Sequence, residues 1–162
     1  MHEIKASLLI VDDEPSIRKT LSLILAEIGY RVRMAEDGVS ALAAIREEVP
    51  EILLSDLNMP GMSGFDLLSA VRHGFPLIQT IAMSGAFLGD EVPTGVAADA
   101  FYQKGSSIGS LLKIMESLPS HRQMPARPAS ELAPFWAGRD GPGYTGEAYT
   151  IASRSQSLGT SS

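Results

Sequence analysis

The stretch Ile52-Leu53-Leu54-Ser55-Asp56-Leu57-Asn58-Met59-Pro60-Gly61-Met62-Ser63-Gly64 passes from an unbroken aliphatic run to a single acid and then into turn formers. Consecutive large aliphatics, with no polar alternation, predict a strand buried on both faces, as in a parallel sheet. Pro60 and Gly61 suit a tight turn, and Gly64 opens a helical pattern with Phe65, Leu68 and Val71 facing inward. The pattern recurs upstream, where Leu8-Leu9-Ile10-Val11 runs into Asp12-Asp13-Glu14-Pro15. Pro15 is suited to the first turn of a helix, whose apolar positions Ile17, Leu21, Ile24 and Ile28 lead to a stop at Gly29. Tyr30 to Ala35 predicts a second strand, and Leu42, Ile45 and Val49 predict one face of a second helix closed by Pro50. Gln79 to Met83 and Ala100 to Gln103 predict two more strands. Ile108, Leu111, Leu112 and Met115 predict a last amphipathic helix. Apolar strands separated by helices make an α/β fold: a doubly wound five-stranded parallel sheet covered on both sides.

Folds of this kind gather their chemistry beyond the carboxyl ends of the strands. Asp12 and Asp13 end the first strand, Asp56 the third and Ser84 the fourth, and Lys104 follows the fifth. Several carboxylates in one place repel unless a cation compensates them. Carboxylate and carbonyl oxygens are hard donors suited to Mg²⁺ or Mn²⁺. With no cysteine, and with His2, His73 and His121 dispersed, zinc does not compete, and none of the histidines is assigned a ligand or phosphocarrier role. Beside a bound cation, Asp56 can act as a nucleophile that forms an acyl phosphate. Lys104 would then supply a point charge to the phosphoryl group, and Ser84 a hydroxyl donor. Singly these residues mean little. Asp12-Asp13 could cap the helix that follows, and Ser84 before Gly85 could simply turn the chain; their joint placement at matching strand ends carries the reading.

The segments Leu8 to Pro15, Leu53 to Gly64, Met83-Ser84-Gly85 and Phe101-Tyr102-Gln103-Lys104 resemble the receiver domains of two-component response regulators, which have a flavodoxin-like fold. The likeness spans residues 6–118. It implies that Asp56 is phosphorylated by a histidine kinase or phosphotransfer protein. It implies further that Asp13, Asp56 and the backbone carbonyl of Asn58 bind Mg²⁺, with Asp12 acting mainly through water. Ser84 and Lys104 would contact the phosphoryl group, and Phe101 would move when Ser84 is drawn in. Such a module is no enzyme in the ordinary sense, since it catalyses only its own phosphorylation and dephosphorylation. Two departures stand out. Gly105 occupies the place of a proline that in the family forms a cis peptide bond. The stretch between Ser84 and Lys104 is short and contains Gly89, Pro93 and Gly95, so a brief or irregular fourth helix is expected on the family's signalling face.

Charge is unevenly distributed: residues 1–118 carry nine Lys/Arg against sixteen Asp/Glu, and residues 119–162 carry four against three. An acidic domain is a poor match for nucleic-acid phosphates, so direct DNA binding is not expected. No window approaches the roughly 20 apolar residues of a membrane span. Neither a signal peptide nor an output domain is recognisable, and the lack of cysteine fits a cytoplasmic setting. Residues 119–162 hold five Pro, five Gly and seven Ser, a composition expected to be disordered, in which Phe135-Trp136 is either a docking element or a stray apolar cluster. Two other functions compete: a receiver-fold scaffold that never accepts phosphate, and a phosphoester hydrolase, which would need a lid that no insertion supplies.

Overall fold

In the computed structural model, which describes residues 3–86 and 92–119, strand and helix alternate as far as the fourth strand. The elements are β1 (Ser7–Val11), α1 (Pro15–Ile28), β2 (Arg31–Ala35), α2 (Gly38–Glu47), β3 (Ile52–Asp56), α3 (Gly64–Gly74), β4 (Gln79–Ser84), β5 (Ala100–Gln103) and α4 (Ile108–Ser117). The strands form one parallel sheet in the order β2-β1-β3-β4-β5. Strand order reverses between β1 and β3, which opens a crevice at their carboxyl ends. Register levels those ends: Val11 pairs with Ser55, Asp56 with Met83, and Ser84 with Gln103. Asp12, Asp56 and Lys104 therefore emerge along one edge.

Alternating side chains send each strand's apolar residues to opposite faces. Leu9, Val11, Leu53 and Phe101 pack with α2 and α3, while Leu8, Ile10, Leu54 and Tyr102 pack with α1 and α4. Helix ends follow local chemistry. Pro15 starts α1 and Gly29 caps it at φ 115°. Asp37 and Ser40 form a reciprocal capping box on α2, and Ser63 and Ser107 cap α3 and α4.

Some expected inward positions shift. Leu25, not Ile24, is the buried residue in the middle of α1. Val49 does not lie on a helix face: α2 ends at Glu47, the chain turns extended at Glu48, and Val49 is 52% exposed. The residue before a proline avoids helical geometry, so Pro50 ends the helix earlier than its apolar spacing suggests. In α3, Leu67 joins Leu68 and Val71 in the core, and Phe65 is only partly covered.

The expected irregularity after β4 is visible. No helix occupies residues 92–99; a turn there is closed by the Val96 N–H donating to the Pro93 carbonyl at 3.1 Å. Val96 and Ala98 then cover the core around Phe101. Residues 120–162, including His121 and Phe135-Trp136, lie outside the described residues, as do His2 and Gly89.

Two glycines of the β3–α3 turn differ in what they require. Gly61 takes φ 76° in open space, whereas a Cβ on Gly64 would stand 1.9 Å from the backbone oxygen of Asp56. Gly64→Ala should therefore cost more than about 2 kcal/mol by overpacking, and Gly61→Ala only about 1 kcal/mol through its backbone conformation. Urea unfolding of the two variants checks this order.

Candidate functional site

Asp12 and Asp56 are carried out of the sheet by β1 and β3, which the core packs on both faces. Burial follows: Asp12 is 0% and Asp56 3% exposed, whereas Asp13, one residue into the turn, faces solvent. Oxygens of the three carboxylates lie within 4.8 Å of one another. Lys104 bridges two of them, with Nζ 2.8 Å from Asp12 Oδ2 and 3.0 Å from Asp56 Oδ2. Its backbone N–H donates to the Ser84 carbonyl at 3.0 Å, which carries the β4–β5 pairing one residue beyond the sheet. Gly105 then turns the chain at φ 89°, and Ser106 N–H donates to the Gln103 carbonyl at 3.1 Å. No cis peptide bond occurs among the described residues, and Gly105 takes a left-handed φ that favours glycine.

Burial pushes the Asp56 carboxyl above the ordinary carboxylate range; Lys104 and the Asn58 N–H offset part of this, and the Asp12 charge adds to it. Burial draws the Lys104 ammonium down, but Asp12 and Asp56 more than reverse this and hold it above the usual lysine value. Asp12 Oδ1 accepts the Glu14 N–H at 2.9 Å, and the wholly buried Oδ2 has the Lys104 ammonium, 2.8 Å away, as its partner among the described residues. Three carboxylates against one ammonium, all with oxygen donors, fit a hard divalent cation.

The expected residues do converge, with two refinements. Ser84 Oγ accepts from Asn58 Nδ2 at 3.2 Å and from Ala86 N–H at 3.1 Å, which leaves its own O–H to donate. Asn58 thus meets Ser84 through its side chain, a contact that the turn motif did not suggest. Phe101 is 1% exposed and packs beneath the site with Leu57 and Met59, and Tyr102 lies on the opposite face, its hydroxyl donating to the Ser106 carbonyl at 2.7 Å. Arg18, which no motif marks, donates from Nη1 to the Asp12 carbonyl at 2.6 Å. Its one visible signal was a cation in the first turn of the helix that follows the acidic pair. His73 sits on α3 with Nδ1 2.8 Å from the Ser69 carbonyl, away from the carboxylates.

The model of the response regulator receiver domain matches residues 8–114. The chain belongs to that family. NtrC of Salmonella typhimurium, a DNA-binding transcriptional regulator, is 33% identical over 121 residues, 74% of this chain but 26% of that protein. MtrA of Mycolicibacterium smegmatis, a DNA-binding response regulator, is 36% identical over 84 residues, 51% of this chain and 37% of its own. The receiver domain thus matches only a quarter to somewhat over a third of these curated relatives. Among solved structures, the Vibrio cholerae chemotaxis protein CheY4 aligns with a TM-score of 0.63 and 30% identity, over 70% of this chain and 98% of that one. A chain from the complex of the histidine kinase ThkA with the response regulator protein TrrA aligns with a TM-score of 0.64 and 30% identity, over the same shares. Among the described residues, no helix of this receiver domain is long and apolar enough to cross a membrane.

The charges of the site leave a signature in stability. Folding raises the Asp56 pKa, so its ionised form disfavours the folded state; that cost is full at neutral pH and fades as pH falls through the raised value and past the ordinary one. Asp56→Asn should therefore raise unfolding stability at pH 7 by roughly 0.5–2 kcal/mol, with the gain vanishing in acid. The raised Lys104 pKa has the opposite sense: its contribution is complete below the ordinary lysine value and is lost as pH rises through the higher folded one. Lys104→Met leaves buried carboxylates uncompensated and should cost about 3 kcal/mol at pH 7. Denaturant titrations across pH measure both effects.

Proposed function

We propose that this receiver domain is a phosphoacceptor, phosphorylated on Asp56 by a histidine kinase or phosphotransfer protein, and that it thereby switches its surface for a partner. The observation that carries the reading is Asp56 itself: a nearly buried carboxylate, raised in pKa, 3.0 Å from a lysine ammonium and beside two further acids. Neither a cap nor an interior packing role calls for that combination.

In the reaction, an Asp56 carboxylate oxygen attacks phosphorus, an O–P bond forms and the donor's P–N bond breaks. The bonding pair stays on the donor's ring nitrogen, which takes up a proton. Asp13, Asp56 and the Asn58 carbonyl would hold Mg²⁺ (or Mn²⁺), with Asp12 acting through water; when bound, the ion neutralises charge on the transferring oxygens. Lys104 exchanges its contact with the Asp56 carboxylate for a phosphoryl oxygen. Ser84 donates its free O–H to another, giving up its contact with Asn58. Phe101 then repacks beneath the displaced Ser84, and a pre-existing equilibrium shifts. Catalysis is confined to the domain's own phosphorylation and dephosphorylation.

A cleft of about 240 Å³, lined by Ile17, Leu21, Met83, Tyr102 and Lys104, opens beside the site and supports docking of a donor protein next to Lys104. One structural neighbour comes from a complex of a histidine kinase with a response regulator protein, which supports the same class of donor. Its acidic character argues against the domain touching DNA directly.

Incubation with acetyl phosphate and Mg²⁺ should add one phosphoryl group by mass, and Asp56→Asn should take up none. Labelling that persists in Asp56→Asn places the phosphoryl group elsewhere and overturns the assignment to Asp56; no labelling of the parent chain by any phosphodonor favours the scaffold reading and overturns this one. Mg²⁺ alone should raise the melting temperature, by about 2.7 kcal/mol of stability at a hundredfold excess over its dissociation constant. EDTA should abolish both the stabilisation and the labelling.

A further inference from the structure

Arg18 reaches back from the first turn of α1, and its Nη1 donates to the backbone carbonyl of Asp12 at 2.6 Å. That carbonyl belongs to the peptide joining Asp12 to Asp13, two of the three acids in the cluster. Asp12 is anchored in several other ways. Its N–H donates to the Ala35 carbonyl at 3.3 Å, Oδ1 accepts from Glu14, and Oδ2 faces Lys104. Asp13 is not: it is exposed, and among the described residues no side-chain hydrogen bond or ion pair holds it. Only the backbone fixes where its carboxylate points. Rotation of the Asp12–Asp13 peptide plane would swing that carboxylate away from Asp12 and Asp56, and the charge-assisted bond from Arg18 opposes this rotation.

We infer that Arg18 is a positioning residue of the cation site, holding the Asp12–Asp13 peptide so that the unsupported Asp13 carboxylate stays in the cluster. The inference rests on the reading that this cluster binds Mg²⁺. It carries a sign that separates it from simple electrostatics. A guanidinium near a divalent cation repels it, so charge alone predicts tighter Mg²⁺ binding once Arg18 is neutralised. Loss of positioning predicts weaker binding, because Asp13 must be reordered when the ion arrives.

The test is calorimetric titration of Mg²⁺ into the full chain and into Arg18→Met and Arg18→Lys. Acetyl phosphate labelling is followed in parallel as a function of Mg²⁺. Arg18→Met should raise the Mg²⁺ dissociation constant about tenfold or more, the usual effect of losing a residue that supports a metal ligand. Its labelling rate at saturating Mg²⁺ should stay within about twofold of the parent, since the reacting groups are untouched. Arg18→Lys keeps a cationic donor for the carbonyl and should return affinity to within about threefold. A variant with general structural damage would instead lose maximal rate and would not be rescued by lysine. Equal or tighter Mg²⁺ binding by Arg18→Met overturns the inference alone. Absence of Mg²⁺ binding by the parent chain overturns the cation reading with it.

Discussion

The double ion pair of Lys104 with Asp12 and Asp56 is the interaction around which this edge of the fold is organised. Carboxylates leaving adjacent strands at almost zero exposure repel each other in a medium that screens poorly. One ammonium between them makes the arrangement tolerable, and it does so only if β5 ends in register with β4. The Lys104 N–H bond to the Ser84 carbonyl secures that register, and the turn at Gly105 lets the side chain point back over the sheet. The same crowding that costs stability marks this edge as the place where a cation or a phosphoryl group would relieve the most charge.

The rest of the molecule holds these few atoms still. Apolar clusters pack both faces of the central strands and so set where Asp12 and Asp56 emerge. Gly64 allows α3 to start against the Asp56 backbone, closer than any side chain permits, which fixes the turn carrying Asn58. Asn58 in turn reaches Ser84. Through that bond the β4 end is tied to the β3–α3 turn.

Much of this was legible in the sequence because the informative residues are local. Continuous aliphatic runs marked β1 and β3, the acids after them marked the strand ends, and Lys104 after Phe101-Tyr102-Gln103 completed the set. What escaped was decided by three-dimensional neighbours. Leu25 takes the place of Ile24 because the buried stripe of α1 is set by the sheet beneath it, and the apolar spacing of Val49 continues past a helix that ends at Glu47 ahead of Pro50. Arg18 and the amide of Asn58 act through single polar contacts, which leave no periodic trace. Gly105 stands where the family has proline, and its left-handed φ becomes visible only in the folded chain.

The central claim is chemical: Asp56, among all the acids of this chain, carries the phosphoryl group. Borohydride reduction tests it most directly, because it converts an acyl phosphate to the corresponding alcohol and marks the residue permanently. After treatment with a phosphodonor and Mg²⁺, reduction followed by peptide mapping should find homoserine at position 56 and nowhere else. Homoserine at Asp12 or Asp13, or phosphate retained on a hydroxyl or imidazole after reduction, would contradict it.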